Sequence, residues 1–252
     1  MDPIYLVVGL GAALAGFVQG LSGFGFALVA MSVWAWLIDP QLAAALAVCG
    51  GLSGQILSAV TVRRGFDPKL LAPFVAGGLL GIPVGTLLLP LLDVVLFKAV
   101  LGGLLIVLCP LMLAAPRLPS VRIASPALAR LADAGFGMIG GTLGGIGGFS
   151  GVVPTLWCTL RGMPKDSQRA VIQNFNLALL MVTMLGYVAT GLVTMATVPL
   201  LLVVIPAMMI PSLLGARLYI GISEASFRRI VLGLLTVSGI AMLVASLPKL
   251  AG

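Results

Sequence analysis

The chain has 252 residues, of which 60% are hydrophobic and only 8% are charged. A soluble domain carries roughly 25% charged residues, and apolar runs longer than about 18 residues recur here, so the composition excludes a soluble protein and points to membrane-spanning helices. The runs are continuous instead of alternating, which excludes an outer-membrane barrel, and the net charge of +7 reads as Lys and Arg gathered in cytoplasmic loops.

In chain order, breaks in hydrophobicity delimit eight segments: 4–38, 41–62, 70–92, 94–114, 132–160, 170–190, 194–216 and 228–247. The opening Met1-Asp2-Pro3-Ile4-Tyr5 has no basic stretch, so the first segment is read as part of the mature protein and not as a cleaved signal. Six segments are ordinary spans. The first is not: residues 4–38 as one straight helix would run about 52 Å. That exceeds a hydrocarbon core of about 30 Å, yet is too short for two full spans and a turn. Segment 132–160 shows the same misfit in milder form.

Both odd segments carry glycine in the middle, Gly16 to Gly25 in one and Gly140 to Gly151 in the other. Glycine this dense weakens a helix and permits open backbone. Each segment is then a re-entrant hairpin (or two short helices), or a broken helix that crosses once. Charge separates the two parities. With hairpins, twelve of the 14 basic residues fall on one side, leaving only Lys98 and Lys249 on the other. With single crossings the split is even. The positive-inside rule favours hairpins and places both termini outside the cytoplasm.

The two halves resemble each other. Phe97 to Val107 matches Phe227 to Val237 at an offset of 130, and Gly85 meets Gly215 at the same offset. The glycine runs align at an offset of 122, pairing Gly23 with Gly145 and Gly25 with Gly147. The expected architecture is an all-α polytopic membrane protein of two inverted repeats, each a glycine-broken hairpin plus three spans. Residues 1–115 form the first repeat, 116–131 a cytoplasmic linker and 132–252 the second. Inverted repeats with matching discontinuous elements are a recurring plan of secondary transporters.

Irregular backbone survives at membrane depth only where protein buries it or a cavity hydrates it. Helices that restart after the breaks, near Phe26 and Val152, would present free N–H groups and a positive dipole end to an anion. The expected substrate-binding residues are Gln19, Ser22, Gly23 and Gly25 in the first break. In the second they are Thr142, Gly144, Gly145, Gly147, Gly148 and Ser150. Gln173, Asn174 and Asn176 join them, three amides that open an otherwise apolar segment; the matching first-half segment offers Ser53, Gln55 and Ser58. The competing reading, that the glycines only let helices pack closely, stays open at this point. The seven acidic residues, Asp133 among them, are read as lying near ends or in loops. Trp34, Trp36 and Trp157 are read as packing or interfacial residues.

Other chemistry is excluded by residue type. There is no histidine, which removes most zinc sites and the Ser-His and Cys-His dyads. The cysteines Cys49, Cys109 and Cys158 sit singly in apolar segments and read as small hydrophobes. No GxxxxGK[ST] occurs and no basic cluster is interleaved with aromatics, so neither a cofactor, a metal, ATP hydrolysis nor nucleic-acid binding is expected. The expected partners are the lipid bilayer, a small anionic solute and a coupling ion, proton or sodium. A channel, or less plausibly a membrane enzyme, is the alternative to a carrier.

The run Gly140 to Leu156 and the opening Gln168 to Leu177, with Gly20 to Gly25 in weaker form, resemble the sulfite exporter TauE/SafE family, grouped with toluene-sulfonate uptake permeases. The resemblance implies an inner-membrane carrier of small, often sulfur-containing, anions. The first half departs from the family pattern at Phe26 and across Val29 to Trp34, where many members have a second Gly-Gly and a Pro-x-Leu.

Overall fold

The computed structural model describes residues 3–22, 25–61, 65–217 and 224–251. They form ten helices: α1 (Pro3–Ser22), α2 (Phe26–Trp34), α3 (Pro40–Thr61), α4 (Pro68–Leu88), α5 (Val94–Ala114), α6 (Pro126–Gly147), α7 (Val152–Leu160), α8 (Lys165–Ala189), α9 (Val198–Arg217) and α10 (Glu224–Ala251). No strand occurs among the described residues. The order long, short, long, long, long occurs twice.

The helix starts follow from a short polar residue set before proline. Asp39 Oδ1 accepts from Gln41 and Leu42 N–H at the start of α3. Asp67 does the same for Lys69 and Leu70 ahead of α4, and Ser125 accepts from Leu128 N–H ahead of α6. Pro40, Pro68 and Pro126 open these helices, where the missing N–H costs nothing. Asp93 caps α5 without proline, accepting at 2.9 and 2.8 Å from Val95 and Leu96.

Seven helices are long and apolar enough to cross a membrane: α1, α3, α4, α5, α8, α9 and α10. The fifth expected segment, 132–160, differs. Its first arm, α6, begins at Pro126, six residues ahead of the expected start, so the end of the expected linker 116–131 is helical. Arg130 and Asp133 in this arm lower its hydropathy and hid its true start.

Both odd segments are hairpins of unequal arms. α2 folds back along α1, and Trp34 Nε1 donates to the Val7 carbonyl at 3.3 Å. α7 folds back along α6, and Trp157 Nε1 donates to Asp133 Oδ1 at 2.7 Å. A nine-residue arm is about 13.5 Å long, less than half a hydrocarbon core, so it re-enters and does not span. The helix breaks are shorter than the glycine runs suggested. Residues 16–22 and 140–147 are helical, and the second break is confined to 148–151.

Most of the remaining glycines are packing residues. α6 lies along α4 and α1 along α9, close enough that a Cβ would strike backbone. Gly141 faces the Gly78 carbonyl and Gly145 that of Ile82; Gly16 faces the carbonyl of Met208 and Gly20 that of Ser212. From the other side, Gly85 meets the Thr142 carbonyl and Gly215 that of Phe17. These three pairs of contacts superpose at offsets of 125 for α1 onto α6 and 130 for α4 onto α9. The offset of 130 stands. The offset of 122 does not, because Gly145 takes the place of Gly20 and not of Gly23.

The centre of the assembly is α3, whose residues 43–49 are all buried. The outer helices turn apolar stripes outward: Leu6, Leu10 and Leu14 on α1 are 57–62% exposed, and Leu234, Val237 and Val244 on α10 are 64–67% exposed. In water such faces would drive aggregation; against acyl chains they are solvated. At one end of the bundle Val121 N–H donates to the Leu160 carbonyl and Asn174 Nδ2 to that of Gly65. At the other end Lys98 sits over the Trp36 ring, 5.0 Å from its centroid.

Candidate functional site

The two hairpins meet at a half-open cavity. Its wall is made by Gln19 from α1, Gly25 to Leu28 at the start of α2, Gly51 and Gln55 from α3, Gly148 to Val152 across the second break, and Asn176 and Leu180 from α8. Gly51 and Gln55 are the twelfth and sixteenth residues of α3, and Asn176 and Leu180 hold the same places in α8, so the cavity lies at mid-helix depth. Positions open to the centre of a water molecule fill about 30 Å³, roughly two to three times what one water needs. That is room for an anion of a few heavy atoms.

The breaks exist because Gly25 (φ 96°) and Gly148 (φ 80°) adopt the left-handed conformation that other residues resist. A Cβ on Gly148 would also press on Ala27 and Val48. Gly25 caps α2 with no side chain, and the first helical bond runs from Val29 N–H to Gly25 O at 3.1 Å. The N–H groups of Phe26, Ala27 and Leu28 are left over, as at any helix start. α7 offers less: Val152 N–H is taken by Phe149 O and Pro154 has no N–H. Side chains make up the difference there.

Ser150 Oγ donates to Asn176 Oδ1 at 2.9 Å, with both residues buried. Gln19, 4% exposed, donates Nε2 to the Gly51 carbonyl at 3.2 Å. Its Oε1 is buried and accepts no hydrogen bond among the described residues. The Gly51 carbonyl fixes which end of the amide is nitrogen, because a flipped amide would set oxygen against oxygen. No charged side chain lines the wall. What remains is two helix N-termini, each worth about half a positive charge, and a ring of neutral polar groups. This arrangement solvates a small anion without locking it in an ion pair.

Five of the expected site residues are in this wall: Gln19, Gly25, Gly148, Ser150 and Asn176. Gly23 and the side chain of Ser22 lie outside the described residues. Thr142 is half-buried and donates to the Met138 carbonyl. Gly144 packs beside Ser150, Gly145 on α4, and Gly147 beside Phe149 and Met31. All four are helical, so the N–H groups of these residues are spent inside α6. Asn174 is not in the wall; its Nδ2 ties α8 to the α3–α4 loop through Gly65 O at 3.2 Å and also donates to Ala170 O, one turn back in α8, at 2.8 Å. Gln173 is buried but is no part of the wall. Sequence reasoning passed over Gly51 and Gly151. The signal for Gly51 was the match to Asn176 at an offset of 125.

Asp133 is a correction of another kind. It lies in the third turn of α6, 3% exposed, and not at an end or in a loop. Arg161 Nη1 bridges both its oxygens at 2.7 Å, and Trp157 donates to one of them. Trp157 in turn stacks on Phe136 with ring centroids 4.1 Å apart. This cluster staples α7 to α6, away from the cavity.

The chain matches the model of the sulfite exporter TauE/SafE family over residues 8–242, nearly its whole length, and belongs to that family. It is a multi-pass membrane protein of a transporter family. No curated protein and no solved structure matches it.

Proposed function

We propose that the chain is a secondary carrier for a small sulfur oxyanion such as sulfite, working by alternating access around the cavity between the hairpin tips. The observation that carries this reading is the meeting of two nine-residue helix N-termini at one cavity whose wall has several neutral polar side chains and no charged one. In this reading residues 1–115 and 132–252 are inverted repeats joined by residues 116–131. The paired contacts of Gly16, Gly20 and Gly215 with those of Gly141, Gly145 and Gly85 support it. One hairpin enters from each side, so tilting one repeat against the other opens the cavity to either face in turn.

The basic loops occupy the cytoplasmic end, with Arg117, Arg122, Arg161 and Lys165 beside the contacts of Val121 and Leu160. Both termini then lie outside the cytoplasm, in a bacterial-type inner membrane. The anion is held by the N–H groups of Ala27 and Leu28 and by the amide N–H of Asn176, which Ser150 orients by donating to Asn176 Oδ1. Purified protein in vesicles loaded with sulfite tests the carrier mechanism. A carrier gives saturable uptake of labelled sulfite that unlabelled sulfite on the far side accelerates. Flux that rises linearly with concentration, without acceleration, makes it a pore; the absence of any flux removes the transport reading.

A further inference from the structure

The cavity wall offers the N–H groups of α2 as donors and, among the described residues, also holds a buried acceptor without a partner, Gln19 Oε1, on a residue 4% exposed. An anion's oxygens have no use for an acceptor. A protonated oxyanion does, because its O–H must donate somewhere once it leaves water. Charge points the same way. Two helix N-termini supply about one positive charge together, and the wall adds none. A monoanion is matched. A dianion leaves about one negative charge uncompensated in a medium that penalises it heavily.

We propose that the cavity takes its oxyanion as the protonated monoanion, with Gln19 Oε1 accepting the ligand's O–H and the N–H groups of α2 donating to its other oxygens. This rests on the carrier reading above. Its consequence is that the substrate brings its own proton. Transport is thereby coupled to pH without a titrating side chain in the wall. Among the described side chains, the titratable groups on the helices around it are all outside the wall: Tyr5 on α1, Cys49 on α3, Arg130 and Asp133 on α6, Cys158 on α7, and Lys165, Asp166, Arg169 and Tyr187 on α8. Tyr187, which reaches closest along α8, spends its hydroxyl on the Gly145 carbonyl at 2.7 Å.

Equilibrium binding to the purified protein across the second dissociation of sulfite tests this, with chlorate as the comparison. Chlorate has the same pyramidal shape, a permanent single charge and no proton. Affinity for total sulfite falls about tenfold per pH unit once the dianion dominates, while chlorate affinity stays level. In Gln19→Leu, affinity for the protonated anion drops about tenfold further than chlorate affinity does, the loss of one hydrogen bond; an equal drop for both anions overturns the role of Gln19. Chlorate binding also reports that the variant is folded; if Gln19→Leu does not fold, the pH series on the native chain decides alone. Sulfite affinity that holds or rises as the dianion forms overturns the proposal and leaves the carrier reading standing. Failure of the folded protein to bind either anion at any pH overturns both.

Discussion

At the scale of single residues, the polar groups of this chain divide by depth. Gln19, Ser150 and Asn176 are buried and converge on the cavity, whereas Asn174, two residues before Asn176, faces the opposite way and holds a loop. A helix turns about 100° per residue, so adjacent amides cannot share a task. Two variants separate them. Asn176→Ala should weaken sulfite binding about tenfold, the worth of one hydrogen bond to an anion, with little change in melting temperature. Asn174→Ala should leave affinity within about twofold and lower stability by about 1 kcal/mol. Titration calorimetry and thermal denaturation on both proteins read the difference, and swapped effects would refute the placement.

At the scale of elements, the hairpins depend on two devices. The first is close packing of α6 on α4 and of α1 on α9. Gly145→Leu and Gly20→Leu insert a side chain where a carbonyl already sits, so both should lose the monodisperse folded protein in size-exclusion chromatography. A Gly145→Leu protein that folds normally and fails only to bind would return that glycine to the site. The second device is the ion pair of Asp133 with Arg161. Asp133→Asn keeps an acceptor for Trp157 and removes the charge, and should cost about 2 kcal/mol of stability with affinity preserved. A melting temperature equal to that of the native chain would show that α7 is held by packing alone. The sequence made the hairpins legible, because length and charge parity exclude a single crossing, and Phe26 and Val152 were read as the points of restart. It did not make the division of glycines legible. Gly148 and Gly145 look alike in a run of glycines; only the partner helix, α4, distinguishes a break from a contact. Asp133 was misread for a related reason: its position depends on where α6 starts, and Arg130 obscured that start.

At the scale of the whole molecule, the two halves reuse one plan but exchange their polar groups. Gln19 is the fourth residue from the end of α1, and Gly144 is the fourth from the end of α6. Gly51 and Asn176 hold equivalent places in α3 and α8. Gln19 therefore reaches into the cavity where its counterpart is Gly144, and Asn176 where its counterpart is Gly51, so matching positions of the two halves build an asymmetric site. Orientation is testable at the same scale. Met195, 89% exposed in the α8–α9 turn, and Leu118, 44% exposed after α5, lie at opposite ends of the bundle in the proposed topology. Met195→Cys should react with an impermeant thiol reagent in intact cells and Leu118→Cys only after permeabilisation; the reverse pattern would invert the topology. Cys49, Cys109 and Cys158 are buried and give little background. The central claim is that a small anion rests between the hairpin tips on neutral donors. Binding of radiolabelled sulfite to purified variants tests it most directly, with Asn176→Leu filling the cavity and Thr142→Ala altering α6 outside it. The account predicts that Asn176→Leu abolishes binding while Thr142→Ala binds as the native chain does. Native affinity in a folded Asn176→Leu protein would contradict it.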